Sequence, residues 1–266
     1  NNSAVCYNFG SWIGGEDENE MEIKLSNQVR CYNYGKINGE NLELNSTVSL
    51  LNGEGGIIDI EDLTLTNRTT LTNNGKIYVD DDLEITSDAT LENYCLLKAD
   101  EIKMSGSTIE LYEGAFLRAD EWKGDNTTIR MEGGSHIRVK ELEDVYNLKF
   151  INQTPDFALF TCKEKIEDLR WAQVKFQGNI ELLHLGLRKG SGENGDQLYP
   201  ASLFSRGAYI TGEQKQGIRK TACNKGEGSM AGTITDSDGD GVPDEEERFP
   251  DDPERAFISY FPNSDT

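Results

Sequence analysis

The residues best suited to do chemistry lie near the end of the chain, in DSDGDGVPDEEE from Asp236 to Glu247. Acidic side chains stand at positions 1, 3, 5, 9 and 12 of that stretch, with Gly241 at position 6. A hard cation such as calcium takes roughly six to eight oxygen ligands, and this is the spacing of an EF-hand loop. Asp236, Asp238 and Asp240 offer side-chain oxygens and Val242 its carbonyl. Asp244 reaches the ion directly or through water, and Glu247 closes the shell with both oxygens. A solvated acidic linker would not match so many positions together.

The flanks do not suit a helix–loop–helix hand. SMAGTIT before the loop is short and β-branched, and Pro250 and Pro253 stop any helix after Glu247. Prolines 243, 250, 253 and 262 all fall near the C-terminus, so residues 231–266 read as a stiff, acidic connector. A lone calcium loop there is expected to order a junction rather than to open a groove.

No second motif competes with it. The sequence has no GxSxG, HExxH or phosphate-binding glycine loop. Its two histidines, His136 and His184, have no evident partner and read as surface or packing residues. The five cysteines (6, 31, 95, 162 and 223) form no CxxC pair, which argues against zinc or redox chemistry. Their odd count leaves at least one thiol free in a monomer. The sequons at Asn45, Asn67, Asn126 and Asn152 carry little weight in a chain so rich in Asn and Thr. With 48 acidic against 26 basic residues the net charge is −22, which excludes nucleic acid as a partner and favours cations. No apolar run is long enough to span a membrane. NNSAVCYNFG lacks the pattern of a signal peptide, so any such peptide is expected to have been removed, and the closing YFPNSDT reads as an interruption.

What positions these residues is a repeat. Units begin at residues 42, 63, 83, 102 and 122, and a sixth at Leu142, so the period is 19 to 21 residues. Within each unit apolar and polar residues alternate as in a strand. Aligning the units predicts four apolar columns. One holds Leu42, Leu63, Leu83, Ile102 and Trp122; another Leu50, Leu71, Leu91, Leu111 and Met131. The third holds Ile58, Ile77, Leu97, Leu117 and Ile137, and the fourth Ile60, Val79, Ala99, Ala119 and Val139. Turn chemistry falls between them, as in NNG at Asn73 and MEGG at Met131.

A unit of this size cannot bury its own apolar side, but stacked coils can. The fold expected is all-β: a parallel β-solenoid over residues 1–230, about 20 residues per coil, more loosely patterned after residue 188. Leucine-rich repeats would show LxxLxLxxN and helical stretches, which are missing. An antiparallel sandwich also has short strands, yet leaves the fixed column spacing unexplained. VCYNFG at Val5 echoes RCYNYG at Arg30; if the copies stack, Cys6 lies within disulfide reach of Cys31.

Each coil also carries an acidic pair or triplet: Glu61-Asp62, Asp80-Asp81-Asp82, Asp100-Glu101, Asp120-Glu121, with Lys140-Glu141 breaking the series. Such a ladder is either a cation-binding edge or a hydrated corner, and the hydrated corner demands less special geometry.

The segment DSDGDGVPDEEERFPDDPERAFISYFP resembles the acidic calcium repeats related to thrombospondin type 3 repeats. More narrowly, it is similar to the junction preceding an LruC-type C-terminal domain in Gram-negative surface proteins. NNGKIYVDDDLEI and GAYI…ACN also look like the solenoid portion of such proteins. Glu247 stands where those junctions usually carry aspartate. The resemblance implies an exported protein displayed at the cell surface or released, calcium as cofactor, and a further C-terminal domain as neighbour. The function expected is structural or adhesive, binding an extracellular glycan or protein. The alternative is a carbohydrate-active β-helix enzyme or carbohydrate-binding module, marked by a groove with convergent carboxylates and aromatic platforms.

Overall fold

A computed structural model describes residues 4–13, 22–162, 174–182 and 209–210. Every regular element among them is a strand, and every strand pairing is parallel. The chain coils into a β-solenoid with two kinds of strand. Short strands build a nine-stranded sheet: β1 (Val5–Asn8), β4 (Arg30–Asn33), β6 (Ser49–Asn52), β8 (Thr70–Asn73), β10 (Thr90–Asn93), β12 (Thr108–Leu111), β14 (Thr128–Met131), β16 (Leu148–Asn152) and β18 (Val174–Gly178). Long strands build the eleven-stranded second sheet, chiefly β5 (Lys36–Asn45), β7 (Ile57–Leu65), β9 (Lys76–Thr86), β11 (Leu96–Ser105), β13 (Phe116–Asp125) and β15 (His136–Tyr146). Here β2 (Ser11–Ile13) and β3 (Glu22–Ser26) lie at one end, and β17 (Ala158–Cys162), β19 (Ile180–Leu182) and β20 (Tyr209–Ile210) at the other.

Each long strand bends at its middle because the strand alternation breaks there. In β11 the residues facing the main core are Leu97 and Ala99, then Ile102 and Met104, leaving Asp100 and Glu101 as consecutive non-core positions. Two successive outward residues turn the chain and split the strand into two limbs. The acidic pairs sit at this bend.

The second corner, after the second limb, uses left-handed backbone: Ser46-Thr47, Asn67-Arg68 and Ser87-Asp88 have positive φ in pairs, whereas Gly106, Asn126 and Asn147 do so singly. The third corner follows the short strand. It takes either two residues, as between Asn93 and Leu96, or four, as between Leu111 and Phe116. The longer form is closed by a tight turn, Ala115 N–H to the Tyr112 carbonyl at 2.9 Å, in which Gly114 holds the left-handed position with φ 78°.

Three of the four expected columns are in register, with Leu63 beside Leu83, Ile77 beside Leu97 and Ala99 beside Ala119. The column through Leu91 is corrected: its partner is Ile109, and Leu111 instead follows Asn93. The period stayed near 20 while its division among corners changed. The left-handed corner before β12 lost a residue and the corner after it gained two, a trade invisible in unit length.

The corrected register exposes a buried asparagine ladder. Asn8, Asn33, Asn52, Asn73 and Asn93 close successive short strands with their side chains inward. Each Nδ2 donates to the next Oδ1, at 2.7, 2.7, 2.8 and 2.8 Å. Asn73 Nδ2 also donates to the Leu96 carbonyl, and its Oδ1 accepts the Gly75 N–H. Thus one side chain ties three coils and shapes its own turn. At Leu111 and Met131 a four-residue corner supplies that turn from backbone alone and apolar side chains take the ladder positions. Asn52, by contrast, stays in the ladder before a four-residue corner of the same kind, closed by Gly56 N–H to the Gly53 carbonyl. The asparagine at 73, read from sequence as turn chemistry, is core. Asn152 is also buried and hydrogen-bonded to the Asp156 and Asn179 carbonyls, so its sequon is not free for modification.

The rest of the interior is chiefly apolar, with buried Thr69, Ser107 and Thr127 near the corners, and each fully buried Leu or Ile contributes about 1.5–3 kcal/mol. Towards the C-terminal coils it turns aromatic. Phe150 packs edge-on to Trp122 at 5.9 Å, stacks on Phe176 at 5.0 Å and meets Phe160 at 4.7 Å. At Gly124 an added methyl group would crowd Thr127 Oγ1 at 3.2 Å and the Leu148 side chain at 3.3 Å. At the other end Cys6 and Cys31, in register on β1 and β4, form a disulfide with Cα atoms 4.7 Å apart. Cys162 is buried, its Sγ 3.8 Å from the Lys140 carbonyl.

Candidate functional site

The six residues of the acidic loop, Asp236, Asp238, Asp240, Val242, Asp244 and Glu247, lie outside the described residues, as do His184 and Cys223. His136 lies within them and is buried. Its Nε2 is 2.9 Å from Thr161 Oγ1 and its ring tilts against Phe116, a packing role as expected.

The acidic series resolves into two columns with different surroundings. Asp80, Asp100 and Asp120 form a carboxylate stack at the bend. Partial burial and then the charges of Asp120 and Asp80 hold the Asp100 carboxyl above the ordinary carboxylate range. One step along, Asp82, Glu101, Glu121 and Glu141 stand in register beside a column containing Lys103 and Lys123. Lys123 Nζ is 2.6 Å from Glu101, 3.4 Å from Glu121 and 3.7 Å from Glu143. Lys103 pairs with Asp82 and with Glu101. Burial works to raise the Glu101 carboxyl, but hydrogen bonds from Lys123 and Lys103 outweigh it and hold it below its usual value. Its bond to Glu101, against a smaller effect of burial, holds the Lys123 ammonium above its ordinary range.

Glu121, Glu141 and Glu143 bring carboxylate oxygens within 4.8 Å of one another, the spacing of a small metal site. Lys123, however, already lies against two of the three. The protein's own cation lies where a bound ion would, so the column is a partly neutralised ladder, with Lys103 and Lys123 set among Asp82, Glu101, Glu121 and Glu143. Lysine pairing describes this column, whereas the Asp80–Asp100–Asp120 stack stands at the bend with like charges as neighbours.

The stack has a measurable cost. A carboxyl whose pKa is raised by folding favours the folded state below its ordinary pKa, and that advantage is lost as pH rises through the raised value. Glu101 has the opposite sign, contributing above the ordinary range and losing its contribution as pH falls through the lowered value. Asp100→Asn is therefore expected to raise stability at pH 7 by a few tenths of a kcal/mol, small because the position is exposed. Relative to the parent, that gain should vanish near about pH 3, where Asp100 is protonated in both states. Thermal melts at the two pH values check it; an equal gain at both would reject the repulsion argument.

The outer face of the short-strand sheet has two distinctive zones. At the N-terminal end the exposed rings of Tyr7 and Phe9 stack on Tyr32 and Tyr34, at 4.9 and 5.5 Å. Farther along, a groove of about 400 Å³ crosses β12, β14 and β16. The strands present Glu110, Arg130 and Ile151 in register. The long corners raise a wall of Tyr112, Glu132 and Thr154 beside them. Tyr112 stacks on Tyr94 with centroids 3.9 Å apart and donates its hydroxyl to Glu110 at 3.1 Å. Arg130 Nε lies 3.7 Å from Glu110. The groove was not foreseen; its signal in the sequence is the two additional residues between Leu111 and Phe116.

Fold and surface together define a parallel β-solenoid of side-chain ladders, a class compatible with scaffolding, binding and catalysis alike. No protein-family profile, no curated protein and no solved structure matches this chain. Among the described residues no helix is long and apolar enough to cross a membrane.

Proposed function

We propose that this chain is a cell-surface or extracellular structural and adhesion protein that works by binding. The observation carrying that reading is the continuous parallel stacking of both sheets from β4 to β18, with register shifts confined to single positions of the long strands. Backbone groups of each interior coil bond to the coils on either side, so the solenoid is a stiff rod with long regular faces. Such a rod suits display of a contact surface at a distance from its attachment. The loop at Asp236, Asp238, Asp240, Val242, Asp244 and Glu247 is proposed to bind Ca2+ and to order the joint to a following domain. Coordination would replace mutual carboxylate repulsion with shared ligation. The alternative of a carbohydrate-binding solenoid is favoured by one observation, the groove with Glu110, Tyr112, Arg130 and Glu132. It narrows the ligand of the first reading to a glycan and keeps the same mode of action.

Calcium titration by calorimetry tests the junction. One site with a Kd of about 10⁻⁴–10⁻³ M, as in extracellular modules, is expected, lost on Asp240→Ala. Absence of heat at millimolar calcium, or a site that survives that substitution, removes the claim.

A further inference from the structure

Taking the binding reading above as its basis, the geometry points to a ligand class: the groove across β12, β14 and β16 binds an extended, neutral polysaccharide chain lying along the solenoid axis. Four observations lead there. First, the groove runs from coil to coil, so its functional groups recur at the coil rise of about 4.8 Å. That repeat is close to the advance of one pyranose unit in an extended β-linked glycan.

Second, the lining mixes the two chemistries that a sugar ring presents. Glu110 and Glu132 accept hydrogen bonds from hydroxyls and the Arg130 guanidinium donates to them. Ile151 and the ring edge of Tyr112, whose face towards the preceding coil is taken by Tyr94, offer apolar surface to C–H groups. The Tyr112 ring is held by its stack on Tyr94 and by its bond to Glu110, so little side-chain freedom remains to be lost on binding. Arg130 keeps a largely exposed side chain, free to reach a ligand.

Third, a peptide is a poorer fit. Extended peptides gain affinity by adding a strand to a free sheet edge. Here β12 is flanked by β10 and β14, and β16 by β14 and β18, so no backbone edge is open. A ligand must be recognised by side chains alone, which suits a hydroxyl-rich chain. Fourth, two carboxylates face one guanidinium, on a chain of net charge −22, so polyanionic glycans are repelled.

The test is calorimetry of the full chain with neutral β-1,4-linked hexasaccharides of glucose, mannose, xylose and N-acetylglucosamine, with hexagalacturonate as the anionic probe. Binding of at least one neutral hexasaccharide is expected. Arg130→Ala and Tyr112→Ala should each weaken it at least tenfold, with circular-dichroism melts that superimpose on the parent. Glu132→Gln, which alters one acceptor without removing bulk, serves where a truncation disturbs folding, and a severalfold loss is expected. No heat with any neutral hexasaccharide, preference for hexagalacturonate, or undiminished binding by the variants would overturn the assignment. Capture of a matrix protein by both parent and groove variants, with no glycan binding, rejects the groove while leaving adhesion standing. Hexasaccharide binding that persists when calcium binding is absent upholds the groove and rejects only the junction.

Discussion

Replacing Asn73 with leucine is expected to lower the unfolding free energy by about 3 kcal/mol, although leucine fills the equivalent position at 111. The asparagine is fully buried and links Asn52, Asn93, the Leu96 carbonyl and the Gly75 N–H. Leucine leaves these groups without that partner, and each buried orphan costs roughly 1–3 kcal/mol. Asn52 Nδ2 retains the Gly56 and Lys76 carbonyls, which keeps the total below the sum of four such penalties. At Leu111 the longer corner supplies its own turn bond, so no comparable debt exists. Exchanging residues 73–75 for the segment Leu111–Ala115 should therefore recover much of the loss. Urea melts of parent, Asn73→Leu and the corner exchange measure all three. A loss under about 1 kcal/mol for the single variant would show the ladder to be incidental.

The second large effect is expected at Phe150. Its ring contacts Trp122, Phe160 and Phe176, side chains from its own coil and from the coils on either side. Truncation to alanine leaves a cavity walled by rigid rings that cannot collapse into it, at a cost of about 3–5 kcal/mol. Because coil stacking couples nearest neighbours, loss of protection in hydrogen exchange should centre on β14, β16 and β18 and weaken towards β6. Uniform loss along the whole solenoid would mean instead that it unfolds as one unit. Phe150→Leu, which retains most of the volume, should cost about 1 kcal/mol or less per lost contact region and serves as the control.

Much of the fold was legible before any coordinate. Repeating Leu42, Leu63 and Leu83 at a near-constant interval demands stacked coils, since no coil can bury such residues alone. The echo between VCYNFG and RCYNYG placed Cys6 beside Cys31 for the same reason. The Leu91 to Leu111 pairing failed because a period counts residues per coil and says nothing of how corners share them. The asparagines were visible at the end of successive short strands, yet their composition matched turns. Only inward orientation, a property of register, distinguishes a buried ladder from a solvated bend.

For the site the division is sharper. The ligand set of the Asp236–Glu247 loop is contiguous in sequence, so spacing alone carries the expectation of calcium. The groove brings Glu110, Arg130 and Thr154 together from three different coils, and the lysine pairing of Glu101 likewise joins residues a coil apart. By itself the sequence determined the strand period, the stacking and three of the four apolar columns, because each follows from local alternation repeated at one interval. Only the tertiary structure decided which outward residues become neighbours. That depends on corner lengths and bends, and a single residue gained or lost there moves every side chain beyond it to a new partner.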